Sequence, residues 1–208
     1  RNIMKLSDTI YYGIIKNVNL SEESINEEMT LLYNNNKDQV FNIALISKEG
    51  KPISVVPAAR FRKSFDVAQE EWFVNALNKT ENIHFTRPHV QKLFEKGNNS
   101  YRWVISMSRA VEITNGGSTE QAVLLIDMAY QGLDSVLDEV SLGNGGYIYL
   151  MDSMGEIIWH PKFELIASGR VKENNLIAAT YSDGSIEEEF DNTARTVVIK
   201  TVGYTGWK

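Results

Sequence analysis

The sequence contains no cysteine, which excludes disulfides, thiolate zinc sites and a thiol nucleophile. It has only three histidines, and no His-Glu-x-x-His, Gly-x-Ser-x-Gly or P-loop pattern is present. No apolar run approaches the roughly 18 residues of a membrane span. Basic residues are outnumbered, 21 against 27 acidic, for a net charge of −6. A nucleic-acid or anionic-membrane surface needs clustered Lys and Arg, so neither partner is expected. The sequence opens on Arg1 without a start methionine or signal peptide and reads as an excised piece of something longer. What remains is ordinary globular material, 208 residues with 43% hydrophobic and 23% charged. That length suits one large domain or two small ones and buries about 70% of the unfolded surface.

Periodicity orders the chain. Leu6, Ile10, Ile14 and Val18, then Ile25, Met29 and Leu32, recur at helical spacing over 1–35. Ser21 followed by two glutamates marks a break near 20. The stripe is thin, so this helix needs a sheet or a second copy of itself to lean on. Val40–Ile46 and Ile53–Val56 flank the turn Lys48-Glu49-Gly50-Lys51 and read as a hairpin. A helix is expected over 66–78, with Asp66 and Gln69 as a capping box and Ala68, Trp72, Phe73, Ala76 and Leu77 on one face. Segment 79–100, broken by Pro88 and Gly97, reads as loop with a short helix at 89–95. Strands follow at 102–113 and 122–129 around Asn115-Gly116-Gly117, then a helix through Leu133, Val136, Leu137 and Val140.

One pattern recurs. Ile148–Pro161 lies on Ile43–Pro57 when Gly155 is set on Gly50, an offset of about 105 residues that indicates duplication of one small α/β unit. The second copy then crosses a polar stretch, 169–192, to a strand at Thr196–Val202. Its acidic run Asp183–Asp191 lacks the ordered spacing of an EF-hand loop and reads as a solvated loop. The closing Tyr204–Lys208 reads as a turn and the start of a further strand, so part of the second sheet is expected to lie beyond this sequence.

Gln69–Ala76, Ala122–Met128, Gly146–Pro161 and Thr205–Lys208, in that order, resemble the double Cache family of tandem PAS-like sensor modules. Within it, the chain is most similar to the extracellular part of YesM-type bacterial sensor histidine kinases. The resemblance implies an α+β fold: a long N-terminal helix (1–35), a membrane-distal Cache unit (36–130) and a membrane-proximal Cache unit (131–208), each an antiparallel sheet with covering helices. It implies an extracytoplasmic sensor domain in the cell membrane, flanked by transmembrane helices outside this sequence and homodimeric in the intact receptor. The leading expectation is a two-component histidine kinase. A methyl-accepting chemotaxis receptor is the alternative, and a non-catalytic adhesion or structural module is the alternative of another class.

No catalytic residue, metal site or cofactor is expected, because carboxylates are spread without a paired spacing and His84, His89 and His160 lack a further close ligand. A small-molecule ligand is expected in the distal unit, in an apolar pocket with a few placed polar groups. Asp127 stands inside the apolar run Val123–Met128, where an ionised carboxylate must be paired or solvated. In amino-acid-binding members of the resembled family an Asp at this place grips the ligand amine. Those members also carry Arg-x-Trp-Tyr on the covering helix, where this chain has Glu70-Glu71-Trp72-Phe73. An acid at the base's position disfavours an α-carboxylate and favours an amine, a sugar or another neutral solute, with carbohydrate preferred. Trp72 and Phe73 fit either the core or the pocket wall. Arg87 and His89 would close over the sheet, and Tyr101, Trp103 and Ser106 lie at the next strand. Alternation separates Trp103 and Ile105 from Val104 and Ser106.

Overall fold

The computed structural model describes residues 22–80, 83–95, 102–115, 118–137, 140, 142–143 and 145–208. The chain divides into two compact units, Arg1–Ser135 and Val136–Lys208. It is a mixed α+β fold built on antiparallel sheets.

The first unit opens on helix α1, Glu22–Asn35; the earlier half of the expected long helix lies outside the described residues. Strands β1 (Val40–Ser47) and β2 (Pro52–Val56) form the expected hairpin. A 3-10 turn at Val67–Gln69 precedes helix α2, Glu71–Asn78. Asp66 caps that turn, its side chain accepting from the Ala68 N–H at 3.1 Å, so the capping residue is as expected but the helix proper begins later. Strands β3 (His84–Phe85), β4 (His89–Val90), β5 (Trp103–Asn115) and β6 (Ser118–Ala129) complete one sheet in the order β2-β1-β6-β5-β3, with β4 also on β5. Helix α3, Gln131–Leu137, follows.

The helix expected at 89–95 is absent. His89 pairs with Val104, and the Gln91 N–H donates to the Arg102 carbonyl at 2.9 Å. Strand β3 and strand β4 run along one edge of β5, with Thr86 bonded to Ser106 and His89 opposite Val104. Arg87 and Pro88 together stand against the single residue Ile105. That is the geometry of an edge bulge, and it admits a proline that has no N–H to offer the ladder.

This sheet is covered on both sides. Ala44, Ile46, Val123 and Leu125 pack with Trp72, Phe73, Ala76, Leu93 and Phe94 on one face. Their strand neighbours Ile43, Leu45, Leu124 and Ile126 are equally buried, and alternation turns them to the other face. Helix α1 packs on β1, β2 and β5, burying Ile25, Met29 and Leu32. The thin stripe read from sequence is therefore sufficient: three apolar side chains meet a sheet already rich in Ile and Leu.

The second unit comprises β7 (Leu150–Met151), β8 (Ile157–Trp159), α4 (Phe163–Ala167), α5 (Asn175–Ala178), β9 (Gly184–Phe190) and β10 (Thr193–Ile199). Strand β7 pairs with β8, and β9 with β10. The acidic run expected as a solvated loop is strand β9. Its glutamates stand opposite Ala194, Arg195 and Thr196, and Asp191 and Asn192 turn the hairpin with φ of 51° and 58°, as a two-residue type I′ turn requires. Across the ends of the unit, Met151 and Lys208 exchange two backbone hydrogen bonds at 2.8 Å.

The repeated sequence pattern is a repeated turn. In the first unit the Ser47 side chain accepts from the N–H groups of Glu49 and Lys51, both at 3.3 Å. In the second, Asp152 accepts from Met154 at 2.8 Å and Glu156 at 2.9 Å. The backbone bonds match as well: Gly50 to Ser47 and Gly155 to Asp152, then Ser47 to Lys51 and Asp152 to Glu156. Gly50 and Gly155 share a left-handed φ of 78° and 85°, which only glycine adopts without cost.

Candidate functional site

Cross-strand register assembles a polar cluster at one end of the first unit's inner face. Asn42 on β1 is opposite Asp127 on β6, and Asp127 is opposite Ser106 on β5. Directly opposed residues share a face, which is the face that α2 covers. His89 is opposite Val104, so it joins the same face from the sheet edge. Farther along, Ala44, Leu125 and Ser108 continue the row under Trp72. The surface is thus apolar at one end and polar at the other.

Asp127 is 2% exposed. Ser106 Oγ donates to its Oδ1 at 2.5 Å. Burial pushes the Asp127 carboxyl above its ordinary range, against the opposing pull of the Ser106 hydrogen bond, the His89 ring, Gln91 and Asn42. His89 is itself held by the bulge: its Nδ1 lies 2.9 Å from the Arg87 carbonyl oxygen and 3.2 Å from Thr86 Oγ1, while Nε2 lies 3.4 Å from Ser106 Oγ. A carbonyl only accepts, so that contact assigns the Nδ1 proton. Ser108 Oγ, fully buried, donates to the Trp72 carbonyl at 2.9 Å and ties α2 to β5.

The structure brings Ser106, His89 and Asp127 together. It places Trp72 and Phe73 on the same side, edge to face with ring centroids 5.8 Å apart, both buried within the hydrophobic cluster. Arg87 is exposed, at the bulge. Trp103 is 49% exposed, and alternation turns it to the face opposite Asp127; Tyr101 lies outside the described residues. Sequence reasoning missed Asn42 and Gln91. Asn42 carried a signal, the lone polar residue in the run Val40–Ile46. Gln91 fell inside the segment read as a short helix.

A second polar cluster fills the other unit. Arg195 donates to Glu188 Oε1 at 2.6 Å, Glu173 Oε1 at 2.8 Å and Tyr147 Oη at 3.0 Å. Tyr147 donates to Glu173 Oε2 at 2.5 Å, and Asn174 to Glu188 Oε2 at 2.6 Å. His160 Nδ1 accepts from the Lys162 N–H at 2.8 Å, leaving Nε2 to donate to Glu173 at 3.4 Å. Burial alone would raise Glu173; the bonds from His160, Tyr147, Asn174 and Arg195 overcome it and bring the carboxyl down to about 2. Burial and the bond to Glu173 push the Tyr147 phenol up to about 12. These groups satisfy one another, which is how a buried ionic network holds structure rather than ligand. Among the described residues, no group of three or more His, Asp or Glu is arranged to hold a metal ion, and no helix is long and apolar enough to cross a membrane.

Residues 1–208 match the Cache domain family model. The chain is 23% identical to the methyl-accepting chemotaxis protein McpG of Pseudomonas putida over 148 residues, 71% of this chain and 22% of that protein. It is 21% identical to the methyl-accepting chemotaxis protein McpC of Bacillus subtilis over 174 residues, 82% of this chain and 24% of that protein. It therefore spans about a quarter of the length of these curated relatives. Among solved structures, the ligand-binding domain of the Pseudomonas aeruginosa amino acid chemoreceptor PctC with GABA superposes with a TM-score of 0.66 at 18% identity, covering 99% of this chain and 87% of that one. The ligand-binding domain of the Pseudomonas fluorescens chemoreceptor CtaA with L-isoleucine gives 0.63 at 18% identity, covering 99% and 80%.

Proposed function

The chain belongs to the Cache domain family, and from that premise we propose that it is the extracytoplasmic, non-catalytic sensor domain of a membrane chemoreceptor that binds a small polar solute at Asp127. One observation carries the binding reading: a carboxyl 2% exposed, raised by burial, in a ring of Ser106, His89, Asn42 and Gln91 on an otherwise apolar face. Structure alone gains little from such a group, because an apolar residue of like size holds a core as well or better. A site that grips a donor group gains a strong, dry acceptor. The solutes held by the similar structures, GABA and L-isoleucine, carry an ammonium of the kind Asp127 would take. The preference for carbohydrate from sequence stands behind these as the second class to be tried.

The receptor reading replaces the kinase as the leading one because the curated relatives are methyl-accepting chemotaxis proteins. The two part on the cytoplasmic side, where a chemoreceptor needs a long heptad hairpin and a kinase needs dimerisation and ATP-binding segments. Titration calorimetry against amino acids, GABA, simple amines and sugars tests the site. Asp127→Asn, which keeps the shape and the Ser106 bond, should weaken whichever solute binds by tenfold or more, as loss of a charged acceptor does. Unchanged affinity would refute the assignment.

A further inference from the structure

We propose that Ser108 is a positioning residue for this site: from β5 it sets where the first turn of α2, and with it Trp72, stands over the face that carries Asp127. The inference rests on the ligand reading above and deepens it, since it names what holds the helix covering that face. Ser108 touches no solute in this account; it acts through α2.

Ser108 is 0% exposed, and Leu125 and Ala44 continue its row across the strands on the same face. An alanine would fill such a place in an apolar row. A buried hydroxyl must find an acceptor, and this one finds the Trp72 carbonyl, 2.9 Å away on another element. That carbonyl does not depend on it. Trp72 lies in the first turn of α2, Glu71–Asn78, where the Ala76 N–H four residues on is its helical partner. The bond is needed by neither the helix nor the sheet alone, so its effect is on how the two sit together. Ser106 and Ser108 stand two residues apart on one face of β5, about 7 Å along the strand. The first donates to Asp127 Oδ1 at 2.5 Å and the second to α2, so a single strand gauges the separation of carboxyl and helix. The aromatic pair Trp72 and Phe73 belongs to the turn so held. The far end of α2 has a different tie. His84, opposite Ser108 on β3, gives its Nε2–H to the Lys79 carbonyl at 3.3 Å, a group that only accepts. His84 is only partly buried and holds the helix past Asn78, whereas Ser108 is dry and holds the end that carries the rings.

Titration calorimetry on the full 208-residue chain, with L-alanine, L-isoleucine, GABA, ethylamine and D-glucose as probes, compares Ser108→Thr with Ser108→Val. The two replacements have nearly the same shape and differ by the hydroxyl. Ser108→Val should bind whichever probe the native chain takes about tenfold more weakly than Ser108→Thr does, the worth of one buried hydrogen bond. Trp72 fluorescence, read without probe and with the other three tryptophans changed to phenylalanine, should shift to the red in Ser108→Val and stay native in Ser108→Thr. If the added methyl keeps either from folding, Ser108→Ala deletes the hydroxyl without adding volume and is compared with the native chain. His84→Ala removes the far tie and should lower the melting temperature while leaving affinity unchanged, which separates positioning from general loosening. Equal affinities with and without the hydroxyl, or an equal loss in His84→Ala, overturn the inference, while an effect of Asp127→Asn preserves the ligand reading. Silence of every probe, or indifference of all of them to Asp127→Asn, overturns the ligand reading and this inference with it.

Discussion

Two glycines occupy the same turn in the two units, and replacing each by alanine should produce unequal damage. Gly50 and Gly155 have φ of 78° and 85°, so both variants meet the left-handed penalty of about 1–2 kcal/mol. Part of it is offset by about 0.4–1 kcal/mol through restriction of the unfolded chain, leaving a net cost near 1 kcal/mol. At Gly50 that is nearly the whole effect, because the new Cβ would stand 3.4 Å from Val67 Cβ, an ordinary contact. At Gly155 it would stand 2.9 Å from the Asn175 carbonyl oxygen and 3.0 Å from Leu176 Cα. Those are backbone atoms that cannot swing away, and relieving the clash strains the bond from Asn175 Nδ2 to the Gly155 carbonyl at 2.7 Å. Overpacking of this kind costs about 1–3 kcal/mol more, so Gly155→Ala should cost roughly 2–4 kcal/mol in all. Urea unfolding separates the units through their tryptophans: Trp72 and Trp103 report the first, Trp159 and Trp207 the second, with the other pair changed to phenylalanine. With a slope of about 1–3 kcal/mol per molar, the second unit's midpoint should drop by about 1–2 M in Gly155→Ala. The first unit's midpoint should drop by about half a molar in Gly50→Ala. Equal drops, or a milder one at Gly155, would refute the close approach of this turn to α5.

Acid should loosen the second unit through Glu173. Its carboxyl is held at about 2 against an ordinary 4.5, so the stability it contributes is complete above pH 4.5 and is lost as pH falls toward 2. The gross value is roughly 3 kcal/mol, and about 2 after solvent screening at the network's edge. Glu173→Gln should flatten that part of the pH–stability curve in circular dichroism melts, and an unaltered curve would show that the network does not act through this residue. In the first unit, Met29 is 0% exposed beneath α1. Met29→Ala should destabilise that unit by about 2–5 kcal/mol in the Trp72-reported transition, and a loss under 1 kcal/mol would mean that α1 is not seated as described.

The strands were legible where alternation or length left one answer. Val40–Ile46 and Ala122–Ala129 announce themselves by β-branched and apolar density, and Asp127 stands out because a carboxylate in such a run needs a reason. Its partners were hidden, since the pairing of residue 127 with 106 and 42 is a matter of register, which strand sequence alone leaves open. His89 to Gln91 was misread because Pro88 and Gly97 punctuate the segment and left a short helix between them as the simplest reading, whereas the chain there is an edge strand bent at Arg87 and Pro88. The run Ile186–Phe190 was misread for a related reason. Three glutamates in a row look solvated, yet Arg195 and Asn174, brought in by the hairpin and the preceding helix, give Glu188 the partners that make a strand tolerable there.

A sheet one residue thick, clothed on both sides, has a mechanical corollary. Asn42 and Ile43 are consecutive, as are Ser106 and Met107, so one member of each couple looks toward the carboxyl while its neighbour forms the bed on which α1 rests. A displacement of β1 or β5 on the first side would therefore reach that bed on the second through the backbone alone, while β6, paired to both strands, ties the two movements together.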